Sequence, residues 1–153
     1  MKQPRFKGFR VEVATSNLDG AGTDADIYFL IAWRNAAEAR GSSLRLPNQP
    51  GNDNEAGASV LYQFNAYLPI ADLDQIVSLA LVNGMNNNRP GWHVRRVEVD
   101  AVMDNNEAWN LVDTEIDRWL DTKAETGPAV VLPLKVPFTY LGVIDFVASV
   151  TLG

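Results

Sequence analysis

Hydrophobic and polar positions alternate along most of the chain. Phe9, Val11 and Val13 fall on one side of an extended segment and Arg10, Glu12 and Ala14 on the other, as in a half-buried strand. Residues 27–33 (IYFLIAW) are almost continuously apolar and rich in strand formers, which predicts a central strand of a sheet packed on another sheet. Residues 36–57 break this rhythm with Gly, Pro, Ser and Asn and read as a long connection holding at most a short strand at residues 44–46. Further alternating or apolar stretches cover residues 60–67, 76–82, 93–103, 108–112, 130–136 and 143–152. With turn signals between them they make about seven or eight strands, the pattern of an all-β, antiparallel β-sandwich. Ile116, Trp119 and Leu120 share a face at helical spacing, so residues 114–120 form either a helical turn or a strand end or loop. In the tail, Ile144, Phe146, Ala148, Val150 and Leu152 alternate with Asp145, Ser149 and Thr151, which predicts a strand completing a sheet edge.

A length of 153 residues suits one domain able to bury a single core. No repeat, low-complexity tract or linker appears before about residue 137. The expected organisation is a lead-in over residues 1–8, the sandwich over 9–136 and a C-terminal extension over 137–153 packed on it as a strand. The balance of 13 basic against 19 acidic residues, a formal charge of -6, has the wrong sign for a nucleic-acid binder or an anionic-membrane binder that acts by electrostatics alone. Docking on an anionic surface would need a cation or apolar contacts. The absence of cysteine removes disulfides, thiolate metal sites and a cysteine nucleophile. The start MKQPRFKGFR has no apolar run after its charges, and no segment reaches membrane-spanning length, so a soluble chain is expected, its compartment undetermined.

Candidate chemistry concentrates in two loops, residues 17–26 (NLDGAGTDAD) and 48–53 (NQPGND). In the first, Gly20 and Gly22 permit backbone conformations that turn carbonyls toward a common point. Calcium takes six to eight hard oxygens, and this loop offers the carboxylates of Asp19, Asp24 and Asp26, the Asn17 amide and the carbonyls around Ala21 and Gly22. Three carboxylates so close together repel one another unless they are solvated or a cation gathers them. The alternative is a polar turn that uses Asn, Asp and Gly for their dihedral tolerance.

Catalysis has little support. The sole histidine, His93, follows Trp92 in a strand and reads as a strand surface residue, without a serine nucleophile motif nearby. The pairs Asp113 with Glu115 and Asp72 with Asp74 are explained by solvated turns, and Arg95, Arg96, Lys123 and Lys135 by a structural face. A non-catalytic protein is expected.

The same loops carry a family resemblance. Residues 15–28 (TSNLDGAGTDADIY) resemble the first hairpin of PLAT domains, also called lipoxygenase-homology domains. Residues 48–64 (NQPGNDNEAGASVLYQF) resemble the second calcium loop and following strand of the membrane-binding C-terminal PLAT domain of bacterial phospholipase C toxins. Residues 89–99 (RPGWHVRRVEV) and 116–122 (IDRWLDT) resemble two tryptophan landmarks of the family, and the similarity spans about residues 9–136. The resemblance implies two roughly four-stranded sheets, calcium at loops along one end, and docking on a membrane, lipid or protein partner. Carried over residue by residue, the ligands are the Gly22 carbonyl, Asp24, Asn52 and Asp53, with Asn17, Asp19 and Asp26 as weaker members. The chain departs from the family at Asn83, Gly84 and Met85, where many members place a histidine, an aspartate and an asparagine. Losing that carboxylate lowers the expected calcium affinity, with Asn86 or Asn87 as a neutral substitute.

Trp92 and Trp119 occupy family positions that resemble core packing, while Trp33 and Trp109 are left unassigned. Leu18 and Met85, apolar residues on otherwise polar loops, are the expected membrane contacts. The leading expectation is therefore a calcium-assisted lipid- or membrane-binding module. The alternative is a protein-interaction domain in which calcium is structural or absent.

Overall fold

The alternating segments pair into two stacked sheets in the computed structural model, which describes residues 4–23, 25–47, 55–85, 91–123 and 127–152. The strands are β1 (Phe6–Thr15), β2 (Ile27–Arg34), β3 (Ala39–Arg45), β4 (Ser59–Ala66), β5 (Ile76–Asn83), β6 (Trp92–Met103), β7 (Glu107–Leu120), β8 (Ala129–Leu132), β9 (Thr139–Val143) and β10 (Val150–Leu152). One sheet has six strands in the order β10-β4-β1-β6-β7-β9, and the other has four in the order β3-β2-β5-β8. Pairing is antiparallel except between β10 and β4. The fold is thus the expected all-β sandwich, with a six-stranded sheet where about four strands were anticipated, because β9 and β10 add at its two edges.

Alternation decides which side chains meet between the sheets. Phe9, Val11 and Val13 of β1, Phe29 and Ile31 of β2, and Leu79 and Leu81 of β5 are all buried. Phe9 lies 5.2 Å from Phe29 of the facing sheet and 5.9 Å from Phe64 of its own sheet, ring centroid to ring centroid, so one cluster of aromatics joins both layers. Trp92 is fully buried and donates its indole N–H to Thr15 Oγ1 at 2.9 Å, which fixes the start of β6 against the end of β1. Trp33 is buried as well.

Three segments differ from the sequence reading. β3 is a seven-residue edge strand, longer than the short piece expected at residues 44–46. Five of its residues are exposed and only Leu44 is buried, so no apolar alternation marked it. Residues 114–120 continue β7 as a strand, with Asp117 at φ +49 and a register break between Val94 and Arg96 of β6. Ile116 and Leu120 are four apart, a spacing that helix and strand share. Trp119 would distinguish the two, and it points outward. The tail forms two short strands. β9 pairs with β7, and residues 144–149 then cross to the opposite edge. On the way the Ile144 N–H donates to Asn106 O, Phe146 lies beneath Lys7 Nζ at 5.1 Å from its ring, and the Ser149 N–H donates to Gln63 O.

The outer face of the larger sheet is polar, and one rung places Glu12, Glu98 and Asp113 side by side on β1, β6 and β7. Arg96 bridges Glu98, at 2.8 Å, and Asp113. Burial pushes the Glu98 carboxyl up from its ordinary range, Arg96 opposes this, and Asp113 and Glu12 add to it. A carboxyl raised in the folded state subtracts stability when ionised, and the deficit fades as pH falls through its folded pKa. Glu98→Gln is therefore expected to leave stability at neutral pH unchanged or slightly higher, the gain shrinking toward pH 4. Urea denaturation at the two pH values checks this, and a clear loss at neutral pH would contradict it. A second expectation concerns Gly8, where a Cβ would stand 2.3 Å from the carbonyl oxygen of Phe64 on β4. Gly8→Ala should cost about 1–3 kcal/mol by forcing β1 and β4 apart. An unchanged urea midpoint would show that the two strands are not so closely apposed.

Candidate cation and lipid-facing loops

Strand directions gather four connections at one end of the sandwich, those following β1, β3, β5 and β7. Ala14 pairs with Ser59, Tyr28 with Arg45, Ile27 with Asn83, and Trp92 with Leu120, so these strand ends lie together. Backbone bonds tie the first connection to the next two. The Thr15 N–H donates to Ala58 O at 2.9 Å and the Gly57 N–H to Ser16 O at 3.1 Å, while the Gly84 N–H donates to Asp26 O at 2.8 Å.

The first loop folds back on the sheet. Gly20 sits at φ +73, the Ala21 N–H donates to Leu18 O at 3.0 Å, and Ala21 and Thr23 are buried. A positive φ at that point suits glycine because no Cβ meets the following carbonyl. The tip from Asn17 to Gly20 is left in solvent.

The predicted ligands meet unequal fates. Asn17 is exposed, and its Oδ1 stands 3.3 Å from the place a Cβ would take at Gly57, so the first loop meets the end of the connection between β3 and β4 at this amide. Asp19 is exposed at the tip, and Gly22 is half-buried. Asp26 is half-buried with its carboxylate 3.8 Å from Arg45, a cation that competes for its charge. Asp24, Asn52 and Asp53 lie outside the described residues, as do Asn86 and Asn87. Among the described residues no three His, Cys, Asp or Glu side chains converge to hold a metal. The donors that are described, an amide, two carboxylates and a backbone carbonyl, are all hard oxygens, which suits calcium by type. The anticipated apolar contacts also divide. Leu18 is 50% exposed at the loop tip, whereas Met85 is half-buried at φ +58, its N–H donating to Asn83 Oδ1 at 3.2 Å.

Two residues correct the sequence reading. His93, expected on the strand surface, is only 7% exposed because Ser16, the first loop and Trp119 cover it. Its Nδ1 is 2.6 Å from Ser16 Oγ, its backbone N–H donates to Ala21 O at 2.9 Å and its carbonyl accepts the Ser16 N–H at 3.0 Å. Ser16 is itself buried, so the pair serves packing and loop attachment and does not present a nucleophile to solvent. Trp119, expected in the core, is 37% exposed on the outer face and meets the His93 ring edge-on at 5.1 Å. The period of two places Trp119 on the face opposite Leu120, but only the structure shows how much of it stays exposed there. Trp109 is half-buried and packs at a tilt against Tyr140 of β9, ring centroids 4.8 Å apart, at the far end of β7.

Comparison with known proteins gives the same architecture. Coral 8R-lipoxygenase, whose structure is described as showing calcium activation via a C2-like domain, is 26% identical at a TM-score of 0.57, covering 83% of this chain and 17% of that one. Alpha toxin from Clostridium absonum is 22% identical at a TM-score of 0.65, covering 88% of this chain and 33% of the toxin. Clostridium perfringens alpha-toxin from an avian strain is 17% identical at a TM-score of 0.60, covering 89% and 31%. At these identities the toxins speak for the fold alone. The chain spans about a third of each toxin and about a sixth of the lipoxygenase. No curated protein matches the sequence. The family model described as the PLAT/LH2 domain matches residues 9–132, and the chain belongs to that family.

Proposed function

We propose that the chain is a lipid- or membrane-surface-binding module, assisted by calcium at the loops that follow β1 and β3. The observation that carries this reading is the first loop: an exposed tip with an amide, a carboxylate and a leucine, held by backbone bonds to two neighbouring connections. Support comes also from the calcium activation described for the C2-like domain of coral 8R-lipoxygenase. A net charge of -6 makes a cation the natural bridge between protein oxygens and an anionic headgroup. In this account Asn17, Asp19, the Gly22 carbonyl, Asp24, Asn52 and Asp53 supply oxygens, with Asp26 a weaker contributor because of Arg45. Leu18, and Trp119 on the same end, enter the headgroup boundary, where an amphipathic indole is favoured. Met85, half-buried, contributes less. No helix among the described residues is long and apolar enough to cross a membrane.

A second reading, a protein-interaction domain, is favoured by β9. This edge of the larger sheet carries no charged residue, and Tyr140, Leu141 and Val143 are exposed along it. Uncharged edge strands accept added strands.

Two expectations separate these readings. Calcium, with magnesium as control, should raise the melting temperature of the metal-free protein, because a ligand selective for the native state adds RT ln(1 + [L]/Kd), about 2.7 kcal/mol at a hundredfold excess over Kd. The rise should vanish in Asp24→Asn, and no shift at millimolar calcium would move the weight to the protein-interaction reading. In sedimentation with anionic vesicles, Leu18→Ser and Trp119→Ser should each weaken calcium-dependent binding about tenfold, the scale of losing one buried apolar side chain. Unchanged sedimentation would remove these residues from the membrane contact.

A further inference from the structure

The first loop and Trp119 share a neighbour in His93. His93 holds the loop from two sides, through its N–H to Ala21 O and through its carbonyl and ring to Ser16, and it carries Trp119 against the edge of the same ring. Ser16 is joined in turn to the connection between β3 and β4, since its carbonyl accepts the Gly57 N–H at 3.1 Å. The ring is buried, so a shift of Ser16 or Ala21 displaces the imidazole, and the imidazole has Trp119 to push against. Trp119 is over a third exposed, so its environment can change without disturbing the core.

We propose that His93 is a positioning residue that links the state of the first loop to the orientation of Trp119, so that ordering of the loop by a cation sets the aromatic contact at the lipid-facing end. This rests on the calcium and lipid reading given above. His93 touches neither cation nor lipid. Its imidazole is the mechanical joint, with Ser16 Oγ as the contact on the loop side and the Trp119 indole as the contact on the outer side. A serine hydroxyl bonded to a buried ring is a directional link, because leaving the ring nitrogen without a partner costs free energy. Two of the three attachments are backbone bonds that a side-chain substitution leaves in place, so the loop stays tethered while the joint is loosened.

The test uses the whole chain and reads Trp119 alone, as the difference in emission between the wild type and Trp119→Phe, during calcium titration of the metal-free protein. In the wild type the Trp119 emission should shift with the same calcium midpoint as the melting-temperature rise. Ser16→Ala removes the hydroxyl and keeps the ring, and His93→Phe keeps a ring against Trp119 and removes the bond to Ser16. Each should raise the calcium midpoint about fivefold, the scale of one buried hydrogen bond, and flatten the Trp119 response. The two variants guard against a folding defect in either one, since metal-free melting reports that separately. A calcium-induced melting shift whose midpoint and Trp119 response are unchanged in Ser16→Ala and His93→Phe would overturn the joint and leave the calcium reading standing. A wild type whose melting temperature does not respond to calcium would overturn both.

Discussion

The seam where the end of β1 meets the start of β6 holds the first loop onto the sandwich. On its inner side Trp92 is fully buried and donates to the Thr15 hydroxyl. One residue further on, Ser16 and His93 face outward and bond through both backbone and side chain. Adjacent residues of a strand point to opposite faces, so two consecutive positions serve two purposes: core anchorage by Trp92 and loop attachment by His93. The first loop emerges from this seam already constrained at Ser16 and Ala21, and the second and third connections bond to it in turn. A loop so tethered loses less conformational entropy when its oxygens are gathered on an ion than a free one would.

The unequal width of the two sheets shapes the rest of the surface. A six-stranded sheet over a four-stranded one leaves its outer strands without full cover, which is why Tyr140 and Val143 on β9 stay exposed. The tail offsets part of this by crossing from β9 to β10, with Phe146 lying in the space that Gly8 leaves open. The smaller sheet handles its edges differently. β3 carries Arg40 and Arg45, and β8 is only four residues long, both common ways of discouraging strand addition.

Much of this was legible in the residues, and the exceptions have physical causes. The buried strands β1, β2, β5 and β6 announced themselves because Phe9, Val11 and Val13, the run at residues 27–33, and Val97 and Val99 combine apolar character with the period of a strand. β3 escaped because an edge strand with one buried residue has no pattern to show. Residues 114–120 were ambiguous because a separation of four suits helix and strand alike, and Asp117 at φ +49 disturbs the alternation locally. The tail looked like one strand because its apolar positions keep a period of two across residues that span two edges and the crossing between them. At the site, the loop composition pointed to Asn17, Asp19 and Gly22, but the involvement of Ser16, His93 and Trp119 depends on which residues the loop covers. Coverage is a property of the folded chain, and no local periodicity encodes it. Arg45 was invisible for the same reason, as its approach to Asp26 follows from the pairing of β2 with β3.

The central claim is that the end of the sandwich bearing the first loop is the docking surface. Hydrogen exchange of the backbone amides, read with anionic vesicles in calcium and in chelator, tests this most directly. The account predicts calcium-dependent protection confined to residues 16–26 and the adjoining connections at that end, with β9 unchanged. Protection centred on β9, or protection at the loop end that persists undiminished in chelator, would contradict it.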